Sequence, residues 1–142
     1  MDLNSIQEMW ERDSKVDDIL LDKASLKIPQ LHQKYLTLLN EFKLLQKKKY
    51  FELKKLRHKK TLYYSGKLPP EEYADRPFNY KVMKSDVPGW VEVDDDIQKV
   101  EMQYEYYQTV IDTLSEILKQ VHQLSYNIKN AINWRTFTGG VW

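Results

Sequence analysis

The 142-residue chain has no cysteine, only four glycines and only five prolines. The lack of cysteine excludes disulfide bonds and thiol chemistry. Few glycines together with 30% charged residues favour helices over a turn-rich β architecture. No run approaches the roughly 18 apolar residues of a membrane span, and residues 1–13 are acidic rather than signal-like. We therefore expect a soluble, cytoplasmic, all-α protein that does not contact a membrane.

Motifs for catalysis and for metal binding are also missing. The sequence has no Gly-rich loop of the kind that binds phosphates. It also has no recognisable motif that places a catalytic nucleophile beside the residues that would activate it. The three histidines, His32, His58 and His122, are far apart. Asp94, Asp95 and Asp96 indicate a helix start, and a divalent-metal site there is a remote alternative because adjacent residues on a helix diverge. We predict no enzymatic activity, no cofactor and no metal.

The hydrophobic spacing of the N-terminal half predicts two helices. Residues 2–23 contain a short amphipathic helix. A long helix is expected over 25–64, with Ser25 as its N-cap and Pro29 in its first turn, where a missing N–H costs nothing. Gly66 and the prolines after it are typical of a helix end.

A proline-containing connector and a second long helix follow. The connector is predicted over 65–93, with one helical turn at 70–73 and a short extended piece at 89–93. The second long helix is predicted over 94–137, because no glycine or proline appears between its acidic start and Gly139.

An apolar seam runs along this second helix. Alternate steps of three and four residues from Ile97 to Ile132 meet apolar or aromatic residues at all positions except Ser125. Two long helices and a connector predict a single domain built as a coiled-coil-like helical hairpin. Its thin core favours self-association. We assign the contact between subunits to six residues of the helix: Ile111, Leu114, Leu118, Val121, Ile128 and Ile132.

Positive charge is concentrated in one segment. Ten of the 22 Lys and Arg residues but one of the 21 Asp and Glu residues lie between Lys43 and Lys67, so this segment carries +9 and the rest of the chain −8. On a helix, Phe51 lies on the basic face, with lysines at all four i±3 and i±4 positions. Ammonium groups suit phosphates and an exposed ring suits an unstacked base, which favours single-stranded nucleic acid.

Other interpretations of the basic face remain open at this point. A basic helix face is often merely solvated, or it binds a membrane surface or an acidic protein. Phe51 can be covered by a neighbouring subunit. Tyr104 and Tyr107 fit the apolar seam, so packing is favoured for them over base stacking. Tyr63 also fits a packing position, whereas Tyr64 fits either role.

The basic helix closes in Leu62-Tyr63-Tyr64-Ser65-Gly66, and this ending resembles the UvsY family of recombination mediators of T-even-type bacteriophages. The resemblance continues through Met83-Lys84, the helix start at 95–100 and the C-terminal segment Arg135-Thr136-Phe137. It covers most of the chain.

This resemblance implies a closed homo-oligomeric ring, of six or seven subunits, that binds single-stranded DNA. Such proteins help the phage recombinase to replace the single-strand-binding protein during homologous recombination and repair. The implied partners are single-stranded DNA, the recombinase, the single-strand-binding protein and further copies of the chain. The implied location is the cytoplasm of the infected bacterial host.

The resemblance also singles out residues. In the family, two basic residues separated by a single residue, just before the Tyr-Tyr-Ser-Gly step, are associated with DNA binding. In this sequence His58 and Lys60 hold these two positions. The imidazole of His58 is a departure because histidine is mostly neutral at pH 7, and Lys60 also falls on the packing stripe. The full set of predicted DNA contacts is Lys47, Lys48, Phe51, Lys54, Lys55, Arg57, His58, Lys59, Lys60 and Tyr64.

Two rival functions fit the same sequence. A coiled-coil scaffold or assembly protein with a basic protein-binding helix would oligomerise without binding DNA tightly. An accessory subunit of a nucleic-acid enzyme would form a stable one-to-one complex and no ring.

Overall fold

The computed structural model describes residues 1–17 and 19–139, and its regular elements there are all α-helices. The prediction of an all-α protein is confirmed. In chain order the helices are α1 (Leu3–Asp13), α2 (Leu21–Tyr64), α3 (Pro70–Asp75), α4 (Val87–Glu92) and α5 (Asp95–Thr138). Within the described ranges, no helix is both long and apolar enough to cross a lipid bilayer.

The two N-terminal helices differ from their predicted bounds. Helix α1 begins where the Asp2 carboxylate accepts the Ser5 amide at 2.8 Å, and it ends at Asp13, well before residue 23. Helix α2 begins at Leu21 and not after Ser25. Leu21 is buried, and the extra helical turn places its side chain in the core. Pro29 consequently lies inside α2, where it donates no hydrogen bond to the carbonyl of the exposed Ser25.

The connector contains one predicted and one unpredicted helix. Helix α3 begins at Pro70, which confirms the helical turn predicted there. The extended piece predicted at 89–93 is wrong, because Val87–Glu92 forms helix α4. Val87 and Val91 lie four residues apart and are both buried, so one face of a helical turn enters the core. Pro88 lies in the first turn of α4, where its missing N–H breaks no helical bond.

The chain divides into two compact units, whereas the sequence suggested a single domain. The first unit comprises Met1–Lys43 and the C-terminal part of the chain from Thr109. Within this unit the Trp10 ring packs edge-on against the buried Tyr35, with ring centroids 5.5 Å apart, and the Trp10 indole N–H donates to Gln120 at 2.7 Å. Helices α1, α2 and α5 therefore all contribute to this core.

The second unit comprises Leu44–Gln108. Its α2 and α5 segments run antiparallel, since Gln46 bonds to Gln108 whereas Lys60, further along α2, bonds to Asp96 near the start of α5. A cluster of apolar side chains from α2, α4 and α5 forms the core: Leu53, Val87, Val91, Ile97 and Val100, with Leu56, Tyr64 and Val82 packed against it.

The apolar seam of α5 accounts for much of both cores. Four of the six residues assigned to contacts between subunits are buried within the single chain: Ile111, Leu114, Val121 and Ile128. Their apolar spacing is therefore explained without a second subunit. Leu118 is half-buried, and Ile132 remains 39% exposed.

Candidate nucleic-acid interface

The basic part of α2 has one buried face and one exposed face. Leu53 and Lys60, seven residues apart, are buried, and Leu56 between them is half-buried. Residues three, four and seven apart share one face of a helix, so these three residues mark the face that packs against the rest of the chain. The exposed lysines of this part of α2 lie on the other side of the helix and point to solvent. The residues on that outer side are Lys47, Lys48, Phe51, Lys54, Lys55, His58 and Lys59, which we call the basic face.

Four lysines of the basic face carry uncompensated charge. In the part of the chain that the structure describes, no carboxylate lies within 4.0 Å of the ammonium groups of Lys47, Lys48, Lys54 and Lys55. All four are exposed. The nearby acid Glu52 is engaged by Lys49 at 3.0 Å instead. The positive potential of this face is thus available to an anionic partner.

Phe51 lies in the middle of these lysines with 52% of its surface exposed. The Lys47 ammonium group lies 5.2 Å from the centroid of its ring, within the range of a cation–π contact. In the described ranges, 1–17 and 19–139, neighbouring side chains leave about half of the residue uncovered. The sequence predicted Phe51 on this face, and the structure places it there.

Tyr50 is a residue of this surface that the sequence analysis missed. Its ring is 40% exposed and lies 5.6 Å from that of Phe51. The ammonium groups of Lys47 and Lys54 lie 4.7 and 5.8 Å from its centroid. The spacing Lys47-x-x-Tyr50-x-x-x-Lys54 repeats one residue later around Phe51, and this doubled pattern is the signal that could have identified Tyr50.

The C-terminal end of the basic face is less strongly charged. Arg57 is exposed but forms a salt bridge with Glu101 of α5. Lys59 is exposed, and its ammonium group lies 3.9 Å from the Glu72 carboxylate, a distance too long for a strong ion pair. His58 is exposed on the same side as Phe51. With the exception of Arg57, which pairs with α5, the predicted contacts therefore lie on one surface as far as Lys59.

Lys60 and Tyr64 lie elsewhere. The Lys60 side chain is only 9% exposed, and its ammonium group lies 2.8 Å from Asp96 and 3.2 Å from Asp94. The half-buried Tyr64 donates its hydroxyl to Asp94 at 2.6 Å. The packing position that the spacing predicted for Lys60 is confirmed, and neither residue belongs to the basic face in this chain.

The Asp94 carboxylate links these groups to the start of α5. Its Oδ1 accepts the amides of Asp96 and Ile97, which makes it the N-cap. Burial alone would raise the pKa of Asp94, but hydrogen bonds from Tyr64, the Ile97 amide and Lys60 outweigh burial and hold the pKa below its usual value. For Tyr64, burial and the bond to Asp94 both raise the pKa of the hydroxyl.

Asp96 is held ionised by two cations. The hydrogen bond from Arg76 of the connector, followed by that from Lys60, lowers the pKa of Asp96 well below its usual value. These pairings explain the acidic start of α5 without a metal. Across residues 1–17 and 19–139, no three potential ligands are grouped as a metal site would require.

Comparison with known proteins identifies one family. The model of the family described as "Recombination, repair and ssDNA binding protein UvsY" matches residues 9–141. A comparison with curated protein sequences finds no match. Among solved structures, a crystal structure of the bacteriophage T4 recombination mediator protein UvsY superposes with a TM-score of 0.87 and 23% identity, covering 99% of each chain. A second crystal form of that protein gives a TM-score of 0.83 and 20% identity, covering 96% of this chain and 98% of the other.

Proposed function

Since the chain belongs to the UvsY family of recombination, repair and single-stranded-DNA-binding proteins, which are not enzymes, we propose that it binds single-stranded DNA through the basic face of α2. We further propose that it acts as a recombination mediator. In this role it holds the strand so that a phage recombinase can load in place of the single-strand-binding protein, in the cytoplasm of the infected host.

The observation that carries the proposal is the grouping of four uncompensated lysines around two exposed aromatic rings. Lysine ammonium groups gain affinity by neutralising phosphates and releasing counterions. The rings of Tyr50 and Phe51 offer faces on which bases can stack, and only an unpaired strand presents its base faces. The face therefore supports binding of single strands better than binding of duplex DNA or of an acidic protein.

Assembly would multiply this face. A homo-oligomeric ring of six or seven subunits would present one basic face per subunit, and linked weak sites give an avidity beyond that of one face. For the contact between subunits we propose the exposed end of α5, where Ile132, Trp134 and Phe137 are 39%, 65% and 66% exposed.

Binding of a fluorescent single-stranded oligonucleotide, measured by anisotropy at several salt concentrations, tests the proposed site. The Lys48→Glu/Lys55→Glu double variant should lose tight binding. Lys23→Glu/Lys27→Glu is the matched control, since these two lysines are exposed on the same helix and the charge change is identical. Equal losses in both double variants would mean that net charge alone governs binding, and the proposed face would be wrong.

Recombinase loading needs its own assay. On single-stranded DNA covered by the single-strand-binding protein, the wild-type chain should shorten the delay before the recombinase hydrolyses ATP. The Lys48→Glu/Lys55→Glu variant should not shorten it. An assembled wild-type protein that fails to bind single strands at low salt would instead favour the scaffold function.

A further inference from the structure

Lys60 stands apart from the other cations of the basic segment. Its neighbours Lys59 and Thr61 are exposed, whereas Lys60 is 7% exposed. It lies on the helix side that carries Leu53 and Leu56, which faces away from the side of Lys48 and Lys55. A strand bound along the basic face would therefore not reach its ammonium group.

The charges around Lys60 are already balanced. Its ammonium group contacts Asp94 and Asp96, and Arg76 forms a second ion pair with Asp96. Two cations thus face two carboxylates. A phosphate that approached Lys60 would have to displace both carboxylates and would meet their repulsion in a partly buried site, where charge interactions are strong.

These contacts join three segments of the second unit. Lys60 and Tyr64 belong to the last turns of α2, Asp94 and Asp96 to the start of α5, and Arg76 to the connector. The last turns of a helix otherwise fray easily, because their carbonyl groups lack partners within the helix. The contacts therefore hold the end of α2 in one place.

We infer that Lys60 serves DNA binding as a positioning residue: it fixes the end of α2, which presents His58 and Lys59, and it makes no phosphate contact itself. The inference rests on the proposed basic face. The sequence predicted Lys60 to contact DNA directly, and the inference assigns it a positioning role instead.

The salt dependence of binding separates the two roles. Each phosphate contact contributes about 0.7 to the slope of log affinity against log salt for single strands. The Lys55→Met variant should therefore show a shallower slope by about this amount per bound subunit, with an unchanged melting temperature. The Lys60→Met variant should melt at a lower temperature and, at a temperature where it is fully folded, bind more weakly.

Each result has one meaning. A shallower slope for Lys60→Met, with unchanged melting, would show a phosphate contact and overturn the inference. Unchanged affinity of the folded variant would show a purely structural role and also overturn it. An unchanged slope for Lys55→Met would overturn the proposed basic face, a separate failure.

The Asp96→Asn variant decides the matter if Lys60→Met does not fold. Removal of an acid next to a lysine that contacts DNA should free the lysine, tighten binding and steepen the salt slope. A positioning role for Lys60 predicts no steepening of the slope, a lower melting temperature and no gain in affinity. Tighter binding with a steeper slope would contradict the inference.

Discussion

The hydroxyl of Tyr64 donates a 2.6 Å hydrogen bond to Oδ2 of Asp94, and the other oxygen of that carboxylate caps α5. One buried carboxylate therefore connects the last residue of α2 to the first turn of α5. The sequence left Tyr64 open between packing and DNA contact, and this bond commits its hydroxyl to a partner within the chain.

Removal of this hydroxyl should destabilise the fold. Because hydrogen bonds to charged groups contribute about 1.5–3 kcal/mol, we expect Tyr64→Phe to lower the free energy of unfolding by roughly that amount in urea titrations. Tyr80→Phe is the control, since its ring is 71% exposed. Equal small effects in the two variants would mean that the bond to Asp94 contributes nothing to stability.

The protein should lose stability in acid. Burial opposes ionisation of the Asp13 carboxyl, but hydrogen bonds from Lys34 and Tyr35 outweigh burial and hold the pKa of Asp13 below 3.8. The pKa values of Asp94 and Asp96 are also lowered. The folded state thus favours the charged carboxylates, and this stabilisation is present above pH 3.8 and is lost as the pH falls through the lowered values.

Urea unfolding followed by tryptophan fluorescence at a series of pH values measures this loss. The Asp96→Asn variant should show a shallower decline than the wild type, because one of the three carboxylates no longer titrates. A free energy of unfolding that is equal at neutral pH and well below pH 3.8 would contradict the lowered pKa values.

The Phe51 ring should contribute to the affinity for single-stranded DNA by stacking on a base. Loss of one stacked base costs about 1–3 kcal/mol, which is roughly 5- to 150-fold in affinity. We expect Phe51→Ala to weaken binding of oligothymidylate by a factor in this range and to leave binding of an abasic oligomer unchanged. Leu44→Ala, which removes a still more exposed apolar residue of the same helix, should change neither. An equal loss on both oligomers would exclude stacking.

Tyr50 should behave as a second stacking residue. Tyr50→Phe keeps the ring, so binding should be retained, whereas Tyr50→Ala should weaken binding of base-bearing strands without a change in salt slope. The same anisotropy titrations measure both variants. If Tyr50→Phe loses as much affinity as Tyr50→Ala, the hydroxyl and not the ring carries the effect.

The core and the proposed assembly contact should respond to different substitutions. Leu114 is fully buried, so Leu114→Ala should lower the free energy of unfolding by about 2–5 kcal/mol. Ile132→Ser changes an exposed residue and should leave stability nearly unchanged while shifting the oligomer towards smaller species in sedimentation experiments. If Ile132→Ser sediments like the wild type, Ile132 is not part of the contact between subunits.

Local signals in the sequence located some elements well. The acids before Ile97 marked the start of α5 to within one residue, because capping and the helix dipole act within a single turn. The start of α2 was missed by four residues, because burial of Leu21 in the core overrides the local preference of Ser25. Helix α4 was missed for the same reason, since Val87 and Val91 are helical where they meet a core that the local sequence does not reveal.

The candidate site was predictable to a similar extent. Helical spacing placed Phe51 among its lysines correctly, since those relations span only four residues. The partners of Lys60 lie 34 and 36 residues away, so no local spacing could show that its charge is already neutralised.

Photo-crosslinking tests the central claim, that the basic face of α2 holds the strand, most directly. The wild-type protein is bound to single-stranded DNA that contains iodouracil, irradiated, digested and analysed by mass spectrometry. Adducts on Tyr50 and Phe51 are the expected result. Adducts confined to other exposed aromatic residues, such as Tyr80 and Trp90 of the connector, would place the strand elsewhere and contradict the claim.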